Sequence, residues 1–292
     1  MTSAVRTVPA GGTRFLLRQY GSGPGTPVLL LHGVPETSSC WSDLAPRLAS
    51  GRLVLVPDLP GLGASVYPGS YDVPALVRQI VALLDEVAPG QRVDVVGHDW
   101  GGSLALGLAG SRPDLVRRLC VVNAPYRDVP VLRMAYVGFF ALPALPELLF
   151  RVAGRHVVRE MFRYAWKAGT VLPPERLREY EAAYGDAPRV AAMLGYYRAT
   201  ARPRLRARLR GPRGDGARRP GPPRVSAEAM LVLWGAADPV LPVGTGESVV
   251  RDLGPSCAMV TVPGAGHFVI EEAPDVVASV LTDFLADDRP AG

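Results

Sequence analysis

Short runs of apolar and β-branched residues alternate along the chain with longer segments in which apolar positions recur every three or four residues. The short runs predict strands at residues 14–20, 27–31, 52–56, 91–96, 118–122, 229–234 and 258–262. The longer spacing predicts helices with one buried face at residues 76–87 and 276–284. Because strands alternate with helices, we expect an α/β fold with a mostly parallel sheet and flanking crossover helices.

The alternation stops between Ala124 and about Arg210, where the pattern is helical and rich in Leu, Tyr, Phe and Arg. We interpret this stretch as an inserted helical cap, and we expect the Arg- and Pro-rich residues 202–224 to form a solvated linker back to the sheet. The predicted domains are a core of residues 1–124 and 222–292, and a cap with its return linker of residues 125–221.

One segment of the insertion, Val131–Phe150, has the length of a membrane span. It contains Arg133, Glu147 and two prolines, which a single spanning helix tolerates poorly. We therefore expect no membrane span, and we interpret the segment as an apolar lid over a binding site.

The composition narrows the class of protein. The chain has 292 residues, 48% of them hydrophobic, which is enough for one large core with a smaller inserted domain. The net charge is +5, but the arginines concentrate in residues 202–224. This stretch contains no recognisable element that could contact the bases of a nucleic acid, so no nucleic-acid partner is expected. The three scattered cysteines indicate neither a disulfide framework nor a zinc site, and the start has no signal-like apolar run; both observations favour a cytoplasmic protein.

Candidate chemistry first appears in VVGHDWGG, residues 95–102, between a predicted strand and an apolar run. The glycines allow a sharp turn, and the resulting strand–elbow–helix would present the side chain of Asp99 at the helix N-terminus. Backbone N–H groups and the helix dipole favour an ionised carboxylate there. An aspartate that only caps the helix fits the same pattern, so this motif alone does not establish a nucleophile.

Two later residues favour a catalytic role for Asp99. Asp238 follows a predicted strand in LVLWGAADPVLP, and His267 lies in a glycine-rich loop after the next strand, in VTVPGAGHFVI. Nucleophile, acid and histidine in this chain order are the triad of α/β hydrolases. A carboxylate nucleophile is suited to displacement at a saturated carbon, which gives a stable alkyl ester. His267, oriented by Asp238, would then activate the water that hydrolyses this ester.

These motifs, together with HGVPET at residues 32–37 and DLPGLGAS at residues 58–65, resemble the epoxide hydrolases of the α/β-hydrolase fold, which have haloalkane dehalogenases as near relatives. The resemblance extends from about residue 14 to residue 286. It implies an α/β-hydrolase fold with an inserted helical cap, an oxyanion hole formed by the backbone N–H groups of Val34 and Trp100, and no metal or organic cofactor. The chain departs from this pattern at Pro60, where many epoxide hydrolases carry arginine.

Epoxide hydrolases resemble one another in two lid tyrosines that donate to the epoxide oxygen, since an alkoxide is a poor leaving group without a donor. The resemblance places them at Tyr136, in AYVGFFALP, and at Tyr197, in LGYYRA. Both could instead simply pack in the lid, as aromatic residues often do. Further substrate contacts are expected from His32, Pro35, Trp100, Phe139, Phe140, Tyr196 and Phe268.

The sequence therefore predicts an enzyme that opens an epoxide to a vicinal diol, with a small-molecule epoxide and water as its partners. The apolar lid favours a bulky, lipophilic substrate. The arginine-rich composition indicates a bacterial source and is compatible with a role in secondary metabolism. A homodimer is left open.

Two other functions stay open. Haloalkane dehalogenation uses the same aspartate, and Trp100 would suit a halide, although Val34 stands where many dehalogenases carry asparagine. A non-catalytic ligand-binding module on the same scaffold is the third hypothesis. Such a module would have no need for both Asp238 and His267.

Overall fold

The computed structural model describes residues 3–127, 135–167, 169–209 and 224–286, and in these ranges it contains one sheet of eight strands. The strands are β1 Ser3–Ala10, β2 Thr13–Tyr20, β3 Gly25–Leu31, β4 Arg52–Pro57, β5 Val93–His98, β6 Val116–Val122, β7 Ala229–Gly235 and β8 Cys257–Val262. Their order across the sheet is β1-β2-β4-β3-β5-β6-β7-β8. The β1–β2 and β2–β4 pairs are antiparallel and the others are parallel, which confirms the predicted α/β fold.

Helices and a short 3₁₀ helix, Ser38–Trp41, connect the strands within the described ranges. The α-helices are α1 Ala45–Leu48, α2 Val73–Val87, α3 Trp100–Ser111, α4 Ala135–Phe140, α5 Leu145–Ala165, α6 Pro174–Ala183, α7 Ala187–Leu209, α8 Val243–Leu253, α9 Val269–Glu272 and α10 Pro274–Leu285. In the core, α3 packs against β5 and β6, and α8 packs against β7 and β8.

The central strands owe their continuous apolar runs to burial on both faces. In β3, residues 28–31 are fully buried, and every residue of β5 is buried. A parallel sheet is covered by helices on both sides, so its strands lose the alternation of apolar and polar positions that a half-exposed strand has. These runs were recognisable from the sequence, and the predicted bounds differ from the observed ones by at most two residues.

Strand β1 was not predicted. It pairs only with β2, at the edge of the sheet, and among residues 4–10 only Val8 is buried. The strand also includes Pro9, which edge strands tolerate. An exposed edge strand has no apolar run for a sequence pattern to detect.

Between β6 and β7 the described chain is helical, as expected for the insertion. Helix α5 packs against α6 and α7, and α4 packs against α7. Helix α7 continues to Leu209, so residues 202–209 are helical and are not part of a linker. Residues 210–223, which include most of the expected linker and the expected boundary between residues 221 and 222, lie outside the described residues. The exact division into core and cap therefore stays a prediction.

The described part of the expected lid segment contains residues of two helices. Helix α4 ends at Phe140 and α5 begins at Leu145, while residues 131–134 lie outside the described ranges. Within the part of the chain that the structure describes, none of the helices has both the length and the apolar character needed to cross a bilayer.

The parallel strands bring the predicted chemistry to one edge of the sheet. Val34 follows β3, Asp99 follows β5, Asp238 follows β7 and His267 follows β8. The carboxyl ends of parallel strands meet at the same edge, which is where open α/β sheets bind ligands.

Candidate active site

Asp99 occupies a sharp elbow between β5 and α3. Its φ of 48° and ψ of −116° lie in a region that residues other than glycine rarely adopt, at a cost of roughly 1–3 kcal/mol. The strand and the helix approach so closely here that a Cβ at Gly97 would lie 2.3 Å from the carbonyl oxygen of Gly101. Small residues therefore permit the elbow, and the elbow presents the carboxylate at the start of α3.

The two carboxylate oxygens of Asp99 have different surroundings. Oδ2 accepts a hydrogen bond of 3.0 Å from the backbone N–H of Val34. The backbone N–H of Trp100 also favours the charged carboxylate and lowers its pKa. Oδ1 lies 3.9 Å from Nε2 of His267, which is too long for a hydrogen bond. One oxygen is thus held by the main chain, whereas the other faces the imidazole.

Burial has the largest effect on the pKa of Asp99 and raises it above the ordinary carboxyl value. The charges of His267 and His98 and the backbone N–H groups of Val34 and Trp100 lower the same pKa and so oppose that rise. The anionic form needed for nucleophilic attack therefore depends on these neighbours.

His267 is oriented by Asp238. Nδ1 of the imidazole lies 2.7 Å from Oδ2 of Asp238. The other carboxylate oxygen, Oδ1, accepts from the backbone N–H groups of Val240 at 2.7 Å and Leu241 at 2.9 Å. Burial alone would lower the pKa of His267, but the charge and hydrogen bond of Asp238 and the charge of Asp99 raise that pKa to about 9. The imidazole is therefore a cation at neutral pH while Asp99 is charged.

Asn123 is a further partner of Asp238 that the sequence did not reveal. Its Nδ2 donates to Oδ2 of Asp238 at 2.6 Å, and its Oδ1 accepts from the backbone N–H of Gly235 at 3.0 Å. The residue directly follows β6 and has a φ of 41°. The sequence does contain one signal for such a role. Asparagine favours turns, and Asn123 directly follows a predicted strand.

Glu36 and His98 form a buried pair behind the triad, and neither was assigned a role from the sequence. Nδ1 of His98 lies 2.7 Å from Oε2 of Glu36, which also accepts from the backbone N–H of Gly33 at 3.1 Å. Nε2 of His98 lies 2.8 Å from the carbonyl oxygen of His267. These contacts connect the loop after β3, the elbow and the loop that carries His267.

Tyr136 of α4 and Tyr197 of α7 lie together over the elbow. Their ring centroids are 6.0 Å apart with an interplanar angle of 78°. The ring of Trp100 lies 5.4 Å from that of Tyr197, in an edge-on arrangement. The two tyrosines predicted from distant parts of the sequence are thus brought to one place, next to the residue that follows Asp99.

Both phenols keep their protons well above neutral pH. Burial raises the pKa of Tyr136, and the charges of Asp99 and Asp238 raise it further. Burial also raises the pKa of Tyr197, with added contributions from Tyr136 and Asp99. Each hydroxyl is therefore available as a hydrogen-bond donor close to the carboxylate of Asp99.

Comparison with known proteins places this arrangement in a family. The model of the alpha/beta hydrolase family matches residues 28–280. The chain belongs to the alpha/beta hydrolase family. The predicted α/β-hydrolase fold is confirmed by this match together with the mostly parallel sheet.

Relatives of this α/β hydrolase include proteins named as epoxide hydrolases. It is 26% identical over 292 residues to the AB hydrolase superfamily protein YfhM of Bacillus subtilis, covering 95% of this chain and 96% of that protein. It is 25% identical to human epoxide hydrolase 4, covering 95% and 77%. The crystal structure of epoxide hydrolase A from Mycobacterium thermoresistibile matches with a TM-score of 0.78 and 26% identity, covering 97% and 98%. The resemblance to epoxide hydrolases that the motifs carry is thereby confirmed.

The aromatic residues predicted to contact substrate fall into two groups in the hydrolase. The ring of Phe140 lies 5.0 Å from Tyr197, and Phe139 packs on Phe140. Phe268 lies on the other side, 5.3 Å from the ring of His267. Apolar rings therefore lie next to Tyr197 and next to His267.

The remaining predicted pocket residues have other partners. The hydroxyl of Tyr196 donates to the carbonyl oxygen of Pro60 at 2.9 Å, and its ring is fully buried 5.4 Å from Trp100. His32 is fully buried, with Nδ1 at 2.8 Å from the carbonyl oxygen of Gly33 and Nε2 accepting from the N–H of Leu59. Both residues are suited to shaping the pocket wall. Pro35 is buried beside Val34.

No cluster of three or more His, Cys, Asp or Glu side chains in the described ranges is arranged to hold a metal ion.

Proposed function

We propose that this α/β hydrolase opens an epoxide with water to a vicinal diol through an alkyl ester on Asp99. The observation that carries the proposal is the unequal environment of the two Asp99 oxygens, one held by the N–H of Val34 and the other facing His267 at 3.9 Å. The pair of protonated phenols beside this carboxylate supports an epoxide as the substrate.

In the first step, Oδ1 of Asp99 attacks a ring carbon of the epoxide. The bond from that carbon to the epoxide oxygen breaks, and the developing alkoxide receives hydrogen bonds and a proton from Tyr136 and Tyr197. The carboxylate becomes a neutral ester, so this step needs an anionic nucleophile and a donor for the leaving oxygen, both of which lie at the elbow.

In the second step, Nε2 of His267 removes a proton from water, whose oxygen attacks Cγ of Asp99. The carbonyl oxygen of the ester, Oδ2, becomes the oxyanion, and the backbone N–H groups of Val34 and Trp100 stabilise it. The bond between Cγ and Oδ1 then breaks. The diol takes the proton from His267. The second proton of the water returns to the tyrosine that gave up its own in the first step, and the carboxylate is restored with one oxygen from water.

The relatives support the reaction class. Two proteins that are similar to this chain over at least 95% of its length bear the name epoxide hydrolase. The aromatic rings of Phe139, Phe140 and Phe268 support a bulky, lipophilic epoxide.

A single-turnover experiment in heavy-oxygen water tests the proposal. With enzyme in excess over an aryl epoxide, we expect the first diol to contain no solvent oxygen, because the added oxygen comes from Asp99. Mass spectrometry of the peptide that contains Asp99 should then find one heavy oxygen in its carboxylate. Solvent oxygen in the first diol would mean that water attacks the ring directly, and the ester mechanism would be wrong.

Haloalkane dehalogenation is the second candidate, because Trp100 lies directly beside the nucleophile and carries an indole N–H that suits a halide. The two phenols favour the epoxide, since a halide leaves as a weak base and needs no proton. Halide release from a haloalkane, without diol formation from epoxides, would reverse this preference.

A further inference from the structure

A buried carboxylate lies behind the loop that carries His267. Oε1 of Glu272, at the end of α9, accepts from the backbone N–H of Phe268 at 3.0 Å. Its Oε2 accepts from the N–H of Gly266 at 2.8 Å and from the N–H of Lys167 at 2.7 Å. Glu272 is only 4% exposed. It therefore binds the residues on both sides of His267 and, at the same time, the chain just beyond α5.

We propose that Glu272 is a positioning residue for ester hydrolysis, which holds the loop of His267 in register with the end of α5. This inference rests on the proposed function. It assigns a role to a carboxylate that touches neither substrate nor the reacting atoms, and that acts only through the position of the general base.

The main chain of His267 itself is bound to the same part of the insertion. Its N–H donates to the carbonyl oxygen of Ala165 at 3.0 Å. Ala165 is the last residue of α5, and Lys167 is two residues further along. The base is thus connected to α5 twice, directly through Ala165 and indirectly through Glu272.

Gly266 shows how tightly this connection is packed. A Cβ at Gly266 would lie 2.2 Å from the carbonyl oxygen of Ala165 and 2.9 Å from Oε1 of Glu272. The loop, the carboxylate and the end of α5 therefore fit together only with glycine at this position.

The effect on the two chemical steps should be unequal. Attack by Asp99 on the epoxide does not use His267 as a base, whereas hydrolysis of the ester does. Hydrogen bonds to a carboxylate in a buried site are strong and fix geometry. A displacement of about 1 Å in a reacting group can cost about 10²-fold in rate. Loss of the Glu272 contacts should consequently slow the second step.

The test compares Glu272→Gln with Glu271→Gln. Glutamine has a single acceptor oxygen, so its NH₂ group would face at least one of the three N–H donors. We expect ester hydrolysis to slow by about 10²-fold and alkylation to change little. Intact-protein mass spectrometry during turnover of an aryl epoxide should show the ester accumulating. Both rate constants come from rapid-quench measurements.

Glu271 is the matched control because it is adjacent and buried but lies outside the His267 loop. It accepts from the hydroxyl of Tyr180 at 2.9 Å. Burial, and secondly the charge of Glu36, raise the pKa of Glu271 well above the ordinary value, so a neutral amide is a close substitute. We expect Glu271→Gln to leave both rate constants unchanged.

The link to α5 is tested separately with Lys167→Pro and Lys167→Ala. Proline removes the N–H that Glu272 binds, whereas alanine keeps it and removes the same side chain. Trp166, which precedes this position, has a ψ of 131° and so already has a conformation compatible with a following proline. We expect proline to slow ester hydrolysis more than alanine does.

Amide hydrogen exchange provides a readout that is independent of activity. In Glu272→Gln, exchange at residues 266–268 should be faster than in the wild-type protein. Equal slowing of both chemical steps, or unchanged exchange and hydrolysis, would overturn the positioning role. If the wild-type protein forms no ester with an epoxide, the proposed function fails, and exchange alone then decides whether Glu272 holds the loop.

Discussion

The charge on Asp99 changes during the proposed reaction, and the groups around it respond to that change. Before the reaction, Asp99 is one of the anions that raise the pKa of His267 to about 9. Alkylation converts the carboxylate into a neutral ester and removes this contribution. A histidine that is a cation in the resting enzyme therefore becomes a better candidate for a neutral base at the step that needs one.

His267 should therefore titrate differently before and after the ester forms. NMR of His267 in the unalkylated enzyme should give a midpoint near the pKa of about 9. Only neutral imidazole accepts a proton, so the rate of ester hydrolysis rises with pH through the pKa of His267 in the ester. We expect that midpoint, measured in single turnovers, to lie at a lower pH. Identical midpoints would show that the charge of Asp99 does not control His267.

Tyr136 and Tyr197 permit a second prediction at this scale. Replacing both by phenylalanine should slow alkylation by about 10²-fold or more, since proton donation to the leaving oxygen is lost. Decay of the ester, once formed, should change much less, because that step depends on His267. Stopped-flow fluorescence of the nearby Trp100 can follow both steps.

Tyr164→Phe is the control for this experiment. Tyr164 also lies in the insertion but is 62% exposed. An equal loss of alkylation in this variant, or full activity in the double phenylalanine variant, would remove the donors from the mechanism.

At the scale of elements, the elbow requires glycine in the first turn of α3. A Cβ at Gly101 would lie 2.4 Å from the carbonyl oxygen of Leu31 and 2.6 Å from that of His32. We expect Gly101→Ala to destabilise the protein by about 1–3 kcal/mol, as overpacking of a rigid backbone does. Urea denaturation followed by circular dichroism measures the change.

Gly138, in α4, provides the control for Gly101, because it is also a glycine within a helix. A Cβ there meets nothing within 4 Å. Alanine should stabilise the helix at this position by about 0.5–1 kcal/mol. The opposite signs of the two substitutions separate a packing requirement from helix propensity, and a stable Gly101→Ala protein would contradict the tight elbow.

The sequence revealed those elements and residues whose signal is local. Buried strands have continuous apolar runs, and Asp99, Asp238 and His267 each lie in a short motif directly after a strand. Edge strand β1 has no such run. The extension of α7 to Leu209 was not predicted, because the arginine- and proline-rich composition of residues 202–209 is typical of a linker.

Contacts between distant residues could not be read in the same way. Glu36 and His98 are 62 positions apart and Asn123 and Asp238 are 115 apart, yet each pair is in hydrogen-bond contact. Glu36, His98 and Asn123 show no local sequence signal for the partners in these contacts. These residues come into contact only in the folded protein, because the sheet brings the carboxyl ends of its strands together.

At the scale of the whole molecule, the insertion is joined to the core by polar contacts as well as by apolar packing. Tyr180 of α6 donates to Glu271 in the core, and Nη1 of Arg176 lies 3.6 Å from the same carboxyl group. Nε of Arg189, in α7, donates to the carbonyl oxygen of Gly63 at 2.6 Å. The contacts between the insertion and the core therefore include a titratable group.

Glu271 makes the stability of the molecule dependent on pH. Burial, followed by the charge of Glu36, raises its folded-state pKa well above the unfolded value. The folded protein therefore keeps a proton that the unfolded chain releases, and stability falls as pH rises above the unfolded pKa. Each unit of difference in pKa corresponds to about 1.4 kcal/mol.

Glu271→Gln should remove this loss, because an amide does not titrate. We expect the variant to gain stability relative to the wild-type protein between pH 5 and pH 8, as measured by urea denaturation at both values. A constant difference between the two proteins across this range would show that Glu271 ionises as readily in the folded protein as in the unfolded chain.

Because the two oxygens of Asp99 differ, an oxygen isotope taken up from water in one turnover would stay on the enzyme until the next. We consider the case in which Oδ2 keeps its main-chain donors throughout the cycle. Only the oxygen at the Oδ1 position is then replaced by an oxygen from water. Each diol therefore receives the oxygen that water supplied one turnover earlier. Enzyme that has turned over in heavy-oxygen water and is then moved to ordinary water would release a single labelled diol per active site. The count of marked product would then equal the number of competent molecules in the sample, without any inhibitor or tag.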